Sequence, residues 1–291
     1  MRVGAAARSP RPHPSRVVID CHTHLNRYTP DQPASLAERH ALLHAEMDAN
    51  GIAHAVVITS YRVTADRPGL ADTLRQTEGD PRISVVAAVR LETGYGVDLG
   101  EQREGLTAGR VRGLKLYPGY EAFDPTDARL RPAYELAAEF GVPVMIHTGD
   151  NYDPRARVRL AHPLLVDDVA VDHRDVTFVL CHLGNPWFTD AMEVIYKNDN
   201  VLGDFSGLTL GEFQPRFERW ARERINEVLT YVNDPAKLMF GTDWPISDVG
   251  SYLRFTRGLD ATPEEMEGIL WRNAARVFGI DLGGETAEGG R

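Results

Sequence analysis

Six side chains in this sequence are of types that could work on one substrate. His22 and His24 close the run VVIDCHTH (residues 17–24), Lys115 lies in RGLKLYPG, His147 in VPVMIHTGD, His182 in VTFVLCHLG and Asp243 in KLMFGTDWP. Imidazole nitrogens and a carboxylate oxygen are the ligands that a divalent transition metal prefers. On a strand, alternate residues share a face, so Asp20, His22 and His24 should point one way and Cys21 and Thr23 the other. A single His-x-His pair carries little weight, because a chain of this length with 10 histidines produces ~0.3 such pairs by chance. The weight comes from the other four residues, each of which also stands at or near the end of a short apolar run.

Those runs define the elements that must position them. Strand-like segments are expected at 17–20, 53–59, 83–89, 113–117, 143–147, 177–181, 201–205 and 238–241. Several are continuously apolar, as strands covered on both faces should be. Amphipathic stretches lie between them, such as SLAERHALLHAEMDANG ending at Gly51 and TPEEMEGILWRNAARVFG opening on Thr-Pro-Glu, with the expected start and stop signals of helices. Eight strand–helix units in one chain predict a (β/α)8 barrel with right-handed crossovers. The intervals between the six residues correspond to whole units of roughly 30 residues. They therefore fall at the carboxyl ends of strands 1, 4, 5, 6 and 8, on the rim where barrel active sites are built. Polar groups gathered at a barrel mouth are costly unless they bind something.

DCHTH, MIHTGD, CHLGNPW, GTDWP and the closing NAARVFGI together resemble the amidohydrolase superfamily of metal-dependent barrel enzymes. More narrowly they are similar to the group that includes aminocarboxymuconate semialdehyde decarboxylase. The resemblance implies His22, His24, His147 and Asp243 around one ion, most simply Zn²⁺, with His182 as the acid/base or water-orienting residue. Lys115 is open to two uses. It could be carboxylated and bridge two ions, as in the two-metal members, or be a free ammonium that binds a substrate carboxylate, the use that the related group favours. A metal in such a cage makes hydroxide available near neutral pH. Asp243 would then move the proton and His182 would polarise the carbonyl or steady the nucleophile. The implied activity is hydrolysis of a small lactone, amide or ester. Non-oxidative decarboxylation at the same site is the alternative, and a barrel that only binds ligand is a third reading.

Composition narrows the partners. Of the 291 residues, 43% are hydrophobic and 25% charged, which is ordinary for a globular chain. With 32 basic against 42 acidic residues the net charge is −10, which disfavours nucleic acid. No apolar run is long enough to span a membrane, and neither GxGxxG nor GxxxxGK[ST] occurs, which weakens nucleotide binding. Cys21 and Cys181 are too few for a disulfide scaffold and are read as buried thiols packed under helices in a reducing cytoplasm. Residues 1–16 and 283–291 are expected to be tails flanking one barrel domain over 17–282. A homodimer is expected through the aromatic-rich stretch around 213–232.

Other residues carry weaker signals, each with an ordinary alternative. Trp187 and Trp244 could wall an aromatic pocket or simply pack under loops, and Tyr117 and Tyr120 beside Lys115 are similar. Arg155, Arg157 and Arg159 could bind a carboxylate or form a solvated charge run. Asp204 and Ser206 share a face and could line the pocket. Asp20 is expected to hydrogen-bond within the mouth. His40 and His44 have the i, i+4 spacing that can bind metal on a helix face, but with no third partner evident in the sequence they read as surface or interhelix histidines. His54, His162 and His173 read the same way.

Overall fold

The structure is a computed structural model that describes residues 17–92 and 96–282; both expected tails lie outside the described residues. Eight parallel strands follow one another in chain order around a single sheet. They are β1 (Ile19–Thr23), β2 (His54–Ile58), β3 (Ile83–Ala88), β4 (Val111–Leu116), β5 (Val144–His147), β6 (Phe178–Cys181), β7 (Val201–Asp204) and β8 (Leu238–Met239). The ring closes between its last and first strands. The Cys21 N–H donates to the Phe240 carbonyl (3.0 Å), the Asp243 N–H to His22 (2.8 Å) and the His24 N–H to Trp244 (2.7 Å). This is the (β/α)8 barrel expected from the sequence.

Alternation along each strand sorts the core into two layers. Ala55, Val57, Val85, Leu114, Leu116, Ile146, Phe178 and Leu180 face outward against the helices. Val56, Ile58, Val86, Met145, Val179, Leu202 and Met239 face the barrel axis, where Phe278 joins them. Helix α1 (Leu36–Asn50) starts and stops as its sequence dictates: Ser35 accepts the Glu38 N–H, and Gly51 takes the left-handed conformation at the end. The other barrel helices are α2 (Leu70–Gln76), α3 (Gly100–Thr107), α4 (Arg131–Phe140), α5 (Leu164–Asp172), α6 (Phe188–Lys197), α7 (Pro215–Val232) and α8 (Val249–Arg257).

Two readings need correction. Cys21 and Cys181 lie in the inner layer of the barrel and do not pack under helices. In β1 the register against β2 shifts between Asp20 and Thr23; this extra residue breaks the strict alternation, so both Cys21 and His22 reach the interior. In β6, Cys181 is the last strand residue, and His182 turns back over the mouth through a left-handed backbone (φ 64°). The final helical stretch is also not continuous. Five residues at Gly268–Arg272 form a π-helical segment between two short α-helices, α9 (Pro263–Glu267) and α10 (Asn273–Phe278). The Ile269 carbonyl there accepts the Phe240 N–H (2.8 Å). A Cβ on Gly268 would sit 2.3 Å from the Pro235 carbonyl oxygen, so close packing under β8 demands glycine.

The aromatic stretch behind the expected dimer is largely consumed within the chain. Phe213 stacks on Phe255 (4.4 Å between centroids), and Ile225, Val228 and Leu229 are buried, which leaves mainly Trp220 and Tyr231 exposed. Among the described residues no helix is long and apolar enough to cross a membrane.

His54, at the start of β2, is buried and bonded through Nε2 to the Ser84 hydroxyl (2.9 Å). Burial lowers its pKa from 6.5 to about 4. The unfolded chain therefore binds a proton that the folded chain refuses, and stability should fall as pH drops from 6.5 towards 4. Urea titrations of His54→Gln should show a flatter acid limb, with roughly 2–3 kcal/mol less loss across that interval than in the parent.

Candidate metal centre and active site

The mouth of the barrel opens on a cavity of about 1040 Å³ lined by His22, His24, Lys115, His147, His182 and Asp243. All six residues singled out by spacing are brought together. Within the set, His22, His24 and Asp243 form a tighter group whose ligand atoms all lie within 4.8 Å of one another.

The tautomers of the two β1 histidines follow from their outer partners. His22 Nδ1 lies 3.1 Å from Asp204 Oδ2, which can only accept. His24 Nδ1 lies 2.8 Å from the Ile58 carbonyl, which also only accepts. Both Nδ1 atoms must therefore donate, and in the neutral rings both Nε2 atoms carry free lone pairs. These point at Asp243 Oδ1, at 3.8 Å from His22 and 3.1 Å from His24. Two neutral imidazoles and a carboxylate oxygen facing one point form the donor set of a divalent transition metal, and the residues present fit such an ion.

Electrostatics supports that state. Burial, reinforced by the Lys115 ammonium, lowers the His22 pKa to about 4, so the ring is neutral at pH 7. Burial alone would raise Asp243, but its contact with His24 and the electrostatic influence of the His22, His24 and His182 rings outweigh it and hold the carboxyl well below the usual range. The same contest keeps Asp204 ionised, with His22 as the decisive partner. Burial also lowers the pKa of His182 and, further, of His147.

His182 is fixed by β7. Its Nδ1 donates to the Ser206 carbonyl (2.9 Å), while its backbone N–H donates to Asp204 Oδ1 (3.2 Å). Nε2 is left for the cavity. His147 stands slightly apart, with Nε2 bonded to the Asp150 carbonyl (3.0 Å) and its ring against those of His182 and Tyr120. Lys115 is fully buried on the floor, where its ammonium donates to Cys181 Sγ (2.7 Å). Asp20 serves the scaffold: it accepts from the Thr242 hydroxyl (2.6 Å) and N–H (3.0 Å) and ties β1 to β8.

Of the aromatic and cationic candidates, Tyr117 and Arg155 line the cavity. Tyr117 donates to the Thr59 carbonyl (2.8 Å), and Arg155 is exposed and paired with Asp153 (2.7 Å). Trp187 and Trp244 do not line it. Trp187 packs on His162 (4.7 Å between centroids), and Trp244 is buried in the core, turned from the mouth by the left-handed backbone at Asp243 (φ 64°). Sequence reasoning missed Arg62, Arg67 and Tyr61 on the β2–α2 loop and Tyr28 after β1, all of which line the cavity. Loop residues carry no periodicity, so position after a strand end was the available signal.

A family model for amidohydrolases matches residues 19–280. The chain belongs to the amidohydrolase family. A search of curated proteins finds no match. Among solved structures, an uncharacterized TIM-barrel protein from Bordetella bronchiseptica is similar at 23% identity and a TM-score of 0.71, covering 91% of this chain and 99% of that one. A probable 2-pyrone-4,6-dicarboxylic acid hydrolase from Acinetobacter baumannii, with citric acid bound, is similar at 16% identity and 0.64, covering 90% and 99%. The 5-carboxyvanillate decarboxylase from Sphingomonas paucimobilis is similar at 15% identity and 0.64, covering 92% and 100%. At these identities the shared property is the barrel. Family membership makes the chain an enzyme of a metal-dependent family, one whose mouth carries the ligand group described above.

Gly207 (φ 62°) is required by this geometry, since a Cβ there would lie 2.7 Å from Asp243 Oδ2 and 2.8 Å from His182 Nδ1. Gly207→Ala should fold, by circular dichroism, but hold divalent metal about 10–100-fold more weakly. Asp204→Asn, which turns one of the two acceptor oxygens into a donor and so leaves too few acceptors to orient His22, should weaken metal binding by about the same factor in equilibrium dialysis.

Proposed function

We propose that this amidohydrolase hydrolyses a small carboxylate-bearing carbonyl compound (a lactone, amide or ester) with one Zn²⁺ or similar ion per chain. The observation that carries the reading is the convergence of His22 Nε2, His24 Nε2 and Asp243 Oδ1 beside a neutral His182. His147, through the nitrogen not committed to Asp150, is assigned as a further protein donor to the ion. Such an ion supplies Lewis acidity, polarising a carbonyl and bringing water towards ionisation near neutral pH.

The residues supply the rest. Asp243 is ionised and lies where it can accept a proton from the attacking water and return it to the leaving group. His182 is held by Ser206 with Nε2 facing the cavity and positions the carbonyl or the nucleophile. Lys115 is a fully buried ammonium on the cavity floor, and we assign it to a substrate carboxylate rather than to a carboxylated bridge. Arg62 and Arg67 line the outer cavity, and among the described residues neither makes an ion pair with a carboxylate, so both are available to a second acidic group. Tyr61 lies against Tyr117 (4.9 Å) and Tyr120 (5.7 Å), a wall suited to a planar substrate. Neighbours named for acting on 2-pyrone-4,6-dicarboxylic acid and 5-carboxyvanillate agree with an acidic substrate.

The same buried cation among the residues lining the cavity also favours a second reading, non-oxidative decarboxylation of an aromatic acid. A panel of carboxylated lactones, esters, amides and hydroxybenzoates, followed by pH-stat and by carbon dioxide release, separates the two. Asp243→Asn should keep most of its metal and lose about 10²–10⁴-fold in kcat, whereas His22→Ala should lose metal first. Near-parental turnover of Asp243→Asn at full metal content would show that the proton moves through another group. Arg67→Ala should raise KM with little change in kcat, which steady-state kinetics on the best substrate will measure.

A further inference from the structure

At the opposite end of the barrel from the mouth, His40 and His44 of α1 meet Asp80, which precedes β3. We propose that His40, His44 and Asp80 form a second site for a divalent transition metal of the Zn²⁺ class, separate from the catalytic centre. His40 Nε2 and His44 Nε2 lie 2.9 Å and 2.6 Å from one oxygen, Asp80 Oδ2, and the three ligand atoms all fall within 4.8 Å of one another.

Each group is held from behind. The i, i+4 spacing places both rings on one face of α1, with centroids 4.9 Å apart. Asp80 Oδ1 accepts the Arg82 N–H (3.0 Å) and the Asp80 N–H donates to the Thr77 carbonyl (3.2 Å), so the carboxylate is aimed with Oδ2 outward to the rings. Gln76, the last residue of α2, donates its amide to His40 Nδ1 (3.3 Å). Without metal, each ring must therefore donate from Nε2 to Asp80. With metal, the proton of each neutral ring moves to Nδ1 and both Nε2 atoms become ligands. A turn of the Gln76 amide would then present its carbonyl to His40 Nδ1–H. Two imidazoles and one carboxylate leave a fourth position for water, a geometry suited to Zn²⁺, Co²⁺ or Ni²⁺. Side-chain exposures of 13%, 28% and 13% leave the group reachable from solvent. An ion there would clamp α1 to the turn between α2 and β3, and would stabilise the fold by mass action.

The test is zinc content after equilibrium dialysis at pH 7.5, read by elemental analysis beside thermal unfolding. The parent should hold about one zinc more than His40→Gln/His44→Gln, and His22→Ala/His24→Ala should still retain about one zinc that the added His40→Gln/His44→Gln pair removes. Asp80→Asn, which keeps the shape of the turn, should bind this ion at least about tenfold more weakly and lose most of the zinc-dependent rise in Tm. Equal zinc content in the parent and His40→Gln/His44→Gln would overturn the proposal and leave the group a hydrogen-bonded clamp. So would Asp80→Asn binding as tightly as the parent. The mouth variants make this outcome independent of the catalytic assignment.

Discussion

The hydrogen bond from His22 Nδ1 to Asp204, joining β1 to β7 across the mouth, is the interaction on which the site depends. It selects the tautomer that frees Nε2, and it keeps a buried carboxylate ionised where burial alone would protonate it. The same carboxylate accepts the backbone N–H groups of His182 and Ser206 and the Ser206 hydroxyl, so one acid orients two histidines and the loop between them and Asp243. Breaking it would leave a buried carboxylate oxygen without its donor, an expensive state. The neutral His22 and the anionic Asp204 are thus parts of one electrostatic arrangement, completed by the buried Lys115.

Backbone strain accompanies that arrangement. His182 and Asp243 both adopt left-handed conformations (φ 64° each), which non-glycine residues rarely take. Each follows a barrel strand, and each turn swings its side chain over the mouth when a continuing strand would carry it away. Such strain costs on the order of 1–3 kcal/mol per residue and persists only where surrounding contacts over-determine it. Here the contacts are visible: His182 is held by Asp204 and Ser206, and Asp243 by its N–H bond to the His22 carbonyl and by the β1 histidines. The glycine at 207 completes the packing, because any side chain there would collide with both residues.

The cavity around this centre divides its labour by depth. A buried ammonium lies on the floor beside the ligand group, tyrosines line the wall, and arginines stand nearer solvent. A net charge of −10 does not by itself make the cleft repel anions, because local cations set the potential inside a cleft with low-dielectric walls. The aromatic wall comes from Tyr28, Tyr61, Tyr120 and Tyr152, on loops after β1, β2, β4 and β5, so it can vary without moving the residues at the strand ends.

Much of this was legible in the sequence, for a physical reason. Strand period, helix caps and the unit length of a barrel are local properties, so the spacing of His22, His24, Lys115, His147, His182 and Asp243 already placed them on one rim. Other features required the folded chain. The bulge in β1 depends on pairing with β2, and it sends Cys21 and His22 into the same interior against strict alternation. Trp244 looks like a pocket residue by its position, yet the turn at Asp243 buries it. Arg62 and Arg67 lie on a loop, where no periodicity reports direction. Asp80 is 36 residues from His44 in the chain and touches it in space. Local sequence encodes which face of an element is apolar and where that element stops; which groups then meet across elements is decided by closure of the barrel, and only the tertiary structure records it.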